Sequence, residues 1–158
     1  MEESYKMEPK IISRGAFRVV GMKYRGKNEN NEIPQLWTKF MPKTSEIKHI
    51  ANPNIAYGVM DNFDKESGDF DYIAGFEVDS ITNIPAGMVS WDVPAQTYAV
   101  FTCTLPTLIK AFHHVYKTWL PQSGYQRADG PDFELYDENF DHKDENSKMF
   151  IYIPVVKK

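Results

Sequence analysis

A single cysteine, Cys103, stands in 158 residues, so no internal disulfide can staple this chain. A lone thiol suits a reducing compartment, and the cytoplasm is the expected location. No apolar run approaches the roughly 20 residues that a membrane-spanning helix needs. Met1 to Lys10 is polar and charged, without the apolar stretch of a signal peptide. Positive charge is also short, with 18 Lys and Arg against 22 Asp and Glu and a net charge of −4. That balance argues against a nucleic-acid backbone as the main partner and mildly favours cationic ligands. Catalytic signatures are missing too: there is no G-x-S-x-G, no HExxH, no Gly-rich phosphate loop and no paired cysteine. His113 and His114 are neighbours on a helical segment and point about 100° apart, so they cannot chelate one metal as an i, i+4 pair would. In the acidic loop from Asp61 to Asp69, Phe63 sits where a calcium loop needs a ligand. Neither a metal nor a cofactor is expected.

Aromatic residues, by contrast, are plentiful. Ten Phe, nine Tyr and three Trp make up 14% of the chain, enough to build a core and to line a pocket as well. They recur in order. Phe17-Arg18-Val19-Val20 is echoed by Thr97 to Phe101, and Trp37, Phe40 and Pro42 by Tyr116, Trp119 and Pro121. Asp61-Asn62-Phe63 is matched by Glu138-Asn139-Phe140, and Phe70 to Ile73 by Phe150 to Ile153. The shared offset of roughly 80 residues predicts a duplicated strand–helix–strand–strand module.

The elements fit that plan. Ile33, Leu36, Trp37 and Phe40 share one side of a helix over Ile33–Met41, with Pro34 in its first turn. A second helix is capped by Thr104, carries Pro106 near its start and ends at Pro121 and Gly124. Its apolar stripe runs Leu105, Leu108, Ile109, Phe112, Tyr116 and Trp119. Strands are expected at Ile55–Met60, Phe70–Val78, Phe133–Asp137 and Met149–Val155. The fold class is therefore α+β, a tandem pseudo-two-fold pair of β-α-β-β modules with the helices packed on one face of an antiparallel sheet. One domain spans 1–158, with module one about 11–79, module two about 86–156 and a joint at Asp79 to Pro85. A groove between two such modules is a common place for a small-molecule pocket.

The stretch Gly130-Pro131-Asp132-Phe133-Glu134-Leu135-Tyr136 reads as a turn and then a strand. Alternation puts Glu134 and Tyr136 on one face and Phe133 and Leu135 on the other. A carboxylate among apolar neighbours has three readings. It is a strand residue satisfied by a lysine or by backbone groups, or a buried acid with a raised pKa, or the wall of a cavity where a cation offsets its burial.

Several segments together resemble the GyrI-like small-molecule-binding domain, the effector-binding domain of AraC-type regulators. They are Ile84-Pro85-Ala86-Gly87, Val93 to Phe101, Trp119 to Tyr125, Pro131 to Tyr136 and Ile151 to Val155. The resemblance is strongest from Gly87 to the C-terminus. It implies a tandem pair of strand–helix–strand–strand modules with a ligand groove between them. It also implies that Glu134 meets cationic aromatic compounds at the base of the pocket. Tyr136 and Tyr152 match pocket-lining positions, and Trp37 and Phe112 are transfers of helix positions. Tyr72 is proposed as the first-half counterpart of Tyr152, and Trp91 from its place before the second module. In regulators the domain follows a helix-turn-helix region. Here about ten polar residues lead straight into the first strand without a basic recognition helix, so direct nucleic-acid binding is not expected.

The leading expectation is thus a sensor or sequestering protein for hydrophobic, cationic small molecules. Two alternatives follow from freestanding relatives of the family. One is a hydrolase of strained electrophiles using Glu134 as base or nucleophile, with Glu77 as the candidate second acid. The other is a protein that binds gyrase or a regulator through its surface.

Overall fold

The computed structural model describes residues 8–158. β1 (Lys10–Arg14) and β2 (Phe17–Gly26) lead to α1 (Glu32–Phe40), which tightens into a 3₁₀ turn over Met41–Glu46. β3 (Ala56–Asp61), β4 (Phe70–Val78), β5 (Val89–Val93) and β6 (Gln96–Thr104) follow. A helical run then passes from a 3₁₀ turn (Leu105–Thr107) through α2 (Leu108–His114) and a π-turn (Val115–Trp119) to α3 (Leu120–Gln122). β7 (Tyr125–Arg127), β8 (Asp132–Tyr136) and β9 (Lys148–Lys157) complete the chain. No helix among the described residues is long and apolar enough to cross a membrane.

The run from Leu105 to Gln122 shows how local chemistry sets an element. Thr104 and Thr107 form a capping box, and Pro106 sits in the first turn, where its missing N–H costs nothing. The π-turn comes just before Pro121, whose ring bars the carbonyl of Lys117 from a regular α bond. Gly124, at φ +80°, then turns the chain away.

All strand pairs are antiparallel, in the order β1-β6-β9-β8-β3-β4-β2-β5, with β7 added to β9. The fold is α+β, as expected, with an antiparallel sheet and both long helices on one face. Exchanging β1 with β5, β2 with β6, β3 with β8 and β4 with β9 reverses this order and leaves it unchanged. The short strands β1, β5 and β7 are absent from the sequence-based expectation. β1 pairs with β6 and β5 with β2, so each half of the chain contributes a strand beside the other half.

The two ends of that order meet. Only Gly15 and Ala16 separate β1 from β2, and only Pro94 and Ala95 separate β5 from β6. Such links span about 10 Å at most. The pairing also keeps one register across them: each step forward from Lys10 to Arg14 and on from Phe17 to Gly21 is one step back from Val100 to Gln96 and on from Val93 to Val89. The sheet therefore rolls into a barrel whose seam is this bent ladder. Its inner face packs Phe17, Val19, Tyr57, Val59, Tyr98 and Phe133. On the outer face α1 buries Leu36 and Phe40 against Tyr72, Ala74 and Phe76, while α2 and the π-turn bury Ala111 and Val115 against Phe101, Ile151 and Ile153.

Rolling the sheet brings the backbones of β2 and β4 close at the pair Gly21–Gly75. A Cβ on Gly75 would lie 2.5 Å from the Val20 carbonyl oxygen and 2.7 Å from Val19 Cγ1. Gly75→Ala should therefore lower stability by about 2 kcal/mol through overpacking, read as a shift in the urea midpoint. An unchanged midpoint would mean that the close approach is not required.

Candidate functional site

β8 carries the chemistry by simple alternation. Phe133 and Leu135 point into the barrel, and Asp132, Glu134 and Tyr136 point outward, toward the helices. Glu134 pairs with Gly58 on β3 and Ile151 on β9, which places it in the centre of the sheet between the areas covered by α1 and α2.

Glu134 is only 5% exposed. Its Oε1 accepts a hydrogen bond from Tyr72 Oη at 2.8 Å and another from Tyr136 Oη at 2.7 Å. Tyr72 in turn accepts from Trp37 Nε1 at 2.9 Å. The Trp37 ring stands edge-on to Tyr136, with centroids 5.8 Å apart, and Tyr136 stands edge-on to Phe140 at 4.8 Å. α1 delivers Trp37 because Leu36 and Phe40, its buried neighbours, anchor the helix to the sheet.

Burial raises the pKa of Glu134 above the ordinary carboxylate value, and the hydrogen bonds from Tyr136 and Tyr72 only partly oppose this. Burial, reinforced by the Glu134 charge, holds Tyr72 and Tyr136 well above the usual phenol range, so both remain donors. Cys103 is pushed up to about 12, mainly by burial and further by Glu134. It is a buried thiol rather than a reactive thiolate.

One contributor was not legible in the sequence reading. Gly58 lies on β3 between Glu134 and Tyr72, and a Cβ there would come within 2.1 Å of Tyr72 Oη and 2.6 Å of Glu134 Oε1. The missing side chain lets the carboxylate reach across β3 to β4. A second acid, Asp132, shares the outer face of β8. It accepts from Tyr116 Oη at 2.5 Å and from Arg127 Nη2 at 2.8 Å. Its pKa is raised by burial and held back by Arg127.

The structure thus brings together Glu134, Tyr136, Tyr72 and Trp37. Phe112 borders the neighbouring cluster under α2, to which Tyr136 also packs. Tyr152 and Trp91 do not join them. Tyr152 pairs with Phe133 and stacks on its ring at 4.4 Å inside the barrel, and Trp91 pairs with the inward residue Val19. The sheet separates both from Glu134. Glu77 also faces inward, accepting from Arg14 at 3.0 Å, so it cannot act with Glu134 as a catalytic pair. A shallow groove of about 840 Å³ is lined by residues including Arg14, Gln96, Arg127 and Asp129, and it does not include Glu134. The Glu134 site is filled by its own aromatic side chains.

Residues 10–155 match the family described as integron-associated effector binding protein. The transcriptional regulator BrlR of Pseudomonas aeruginosa is 41% identical over 152 residues, 94% of this chain and 56% of the regulator. The chain therefore spans about half the length of that curated relative. Among solved structures, SAV2435 bound to tetraphenylphosphonium has a TM-score of 0.74 at 18% identity, covering 95% of this chain and 94% of that one. An integron cassette protein from Vibrio cholerae gives 0.67 at 21% identity, covering 98% and 100%. At these identities the structural matches speak for the fold.

Two outcomes follow from the geometry. Because the folded pKa of Glu134 is raised, the native state binds more protons than the unfolded chain above about pH 4.3. Its contribution is favourable below the unfolded pKa and is lost as pH rises through the folded one. The Tm of wild type relative to Glu134→Gln should therefore fall as the pH rises above the ordinary carboxylate range, and parallel curves would contradict the upward shift. Gly58→Ala should separate Tyr72 from Glu134, seen by NMR as loss of the slowly exchanging Tyr72 hydroxyl proton. If that proton persists, the vacancy at Gly58 is not what permits the contact.

Proposed function

The chain belongs to the integron-associated effector binding protein family, and we propose that it holds a lipophilic aromatic cation at Glu134, in a groove between α1 and α2. The observation that carries this reading is a buried carboxylate that forms no ion pair with a lysine or arginine among the described residues. Two phenol hydroxyls soften its burial without supplying positive charge. An incoming cation supplies that charge.

The neighbours suit a delocalised cation rather than a hydrated one. Trp37, Tyr72 and Tyr136 offer ring surface beside the carboxylate, worth about 0.5–2 kcal/mol per cation–π contact depending on desolvation. Trp37 and Tyr136 are half-buried and stand between Glu134 and the helices, so they are the side chains a ligand displaces. Phe112 is the flanking contact on the α2 side. The tetraphenylphosphonium bound to SAV2435 supports the same ligand class. The role we assign is sensing or sequestration, with one domain composed of two related halves. The likeness to a transcriptional regulator supports a place in ligand-controlled gene expression. Hydrolysis through Glu134 is disfavoured because Glu77 faces the other way and Asp132 is engaged by Arg127 and Tyr116.

Tetraphenylphosphonium should quench or shift tryptophan emission saturably, and Glu134→Gln should weaken it at least tenfold, about 1.4 kcal/mol. Neutral triphenylphosphine oxide should bind weakly and equally to both proteins. Equal loss of both ligands in Glu134→Gln would point to a collapsed site and contradict charge recognition.

A further inference from the structure

Arg14 ends β1, at the bend of the barrel seam. It pairs with Gln96, two residues before the inward-facing Tyr98. Its guanidinium carbon lies 3.8 Å from the ring centroid of Phe17, 5.3 Å from that of Tyr57 and 5.6 Å from that of Phe133. Nη2 donates to Tyr57 Oη at 2.9 Å and to Glu77 Oε1 at 3.0 Å. Three aromatic rings, a carboxylate and a phenol oxygen thus surround one planar cation. Guanidinium suits this set better than ammonium does, because it is flat, weakly hydrated and donates within its plane.

A polar group beside this box is left over. Tyr98 is fully buried, with its ring edge-on to the Phe133 wall at 5.2 Å. Its hydroxyl has no hydrogen-bond partner among the described residues. Leaving a buried phenol unpaired is costly, and a position built only for packing is better served by phenylalanine.

We propose that the mouth of the barrel is a second cation-binding site, selective for guanidinium groups, which the chain fills with its own Arg14 and which takes a free alkylguanidinium once that side chain is removed. The site is independent of Glu134. Phe133 and Glu134 are adjacent on β8 and face opposite sides of the sheet, so one wall serves the inner box and its neighbour the outer site. Arg14 also has a structural consequence. Among the described residues β1 has only β6 as a strand partner, and the guanidinium ties its end to β2, β3, β4 and β8 across the seam.

Chemical rescue tests the assignment. Arg14→Ala should melt about 5 °C below wild type. Millimolar ethylguanidinium should restore at least half of that loss, saturably, while leaving wild type unchanged. Ethylammonium should not rescue, and adding Glu77→Gln should abolish the effect. An unchanged Tm in Arg14→Ala, no rescue, or equal rescue by both cations would overturn the proposal. Should Arg14→Ala fail to fold, the Arg14 Nη2–H signals of the wild type decide, since Nη2 carries the bonds to Tyr57 and Glu77. The box predicts a ring-shifted, slowly exchanging proton that Glu77→Gln releases, and a solvent-exchanged signal at the position of a free arginine overturns it.

Discussion

One carboxylate oxygen, Glu134 Oε1, takes two phenol hydroxyls at once, and much of the outer face is arranged around that contact. Tyr72 must be fully buried to reach it, Gly58 must lack a side chain to let it pass, and Trp37 must donate to Tyr72 to complete the chain. Three strands and α1 are thereby coupled through one acid. The arrangement satisfies the hydrogen-bonding capacity of the oxygen but leaves its charge unopposed by a fixed lysine or arginine. A structural core needs no such group, since an apolar residue of similar size packs there without the burial penalty. A recognition site does need it, because selectivity for a cation requires a charge that the protein has not already neutralised.

The rolled sheet keeps this polar chemistry apart from the main core. Inside the barrel, side chains from β2, β3, β4, β5, β6, β8 and β9 interlock, and the cation present there, Arg14, belongs to the chain itself. Outside, α1 and α2 cover separate areas, and Glu134 lies along the line between them. On the proposed reading, a ligand entering on that side would rearrange Trp37 and Tyr136, which are half-buried, without disturbing Phe133 or Tyr57. Rigid scaffold and adaptable site are thus divided by one sheet, an arrangement that lets a binding site change its packing at low cost to the fold.

Much of this was legible from patterns one element long. β4 over Phe70–Val78 coincides with its expected span, α1 and the helical run after Thr104 follow from apolar spacing and caps, and alternation on β8 correctly separates Glu134 from Phe133. What escaped depends on relations between elements. Tyr152 is placed beside Glu134 by the family resemblance, which matches it to a pocket-lining position, yet the register of β9 against β8 sets it opposite Phe133. Trp91 lies on β5, an edge strand too short to announce its own facing. β1 has the same problem, and the barrel closure appears only when its register is followed across Gly15 and Ala16. Gly58 was invisible because its contribution is an absent side chain, meaningful only once Tyr72 and Glu134 are placed on either side of it.

On the proposed function, Glu134 is a carboxylate held in readiness for a cation. The most direct measurement is a pH titration of the Glu134 side-chain carboxyl by ¹³C NMR, with and without saturating tetraphenylphosphonium. A bound positive charge beside the carboxylate must favour its ionised form, so the midpoint should be raised in the free protein and move to lower pH in the complex. A midpoint that stays in place while the ligand binds saturably would mean that the cation sits elsewhere and would contradict recognition by Glu134.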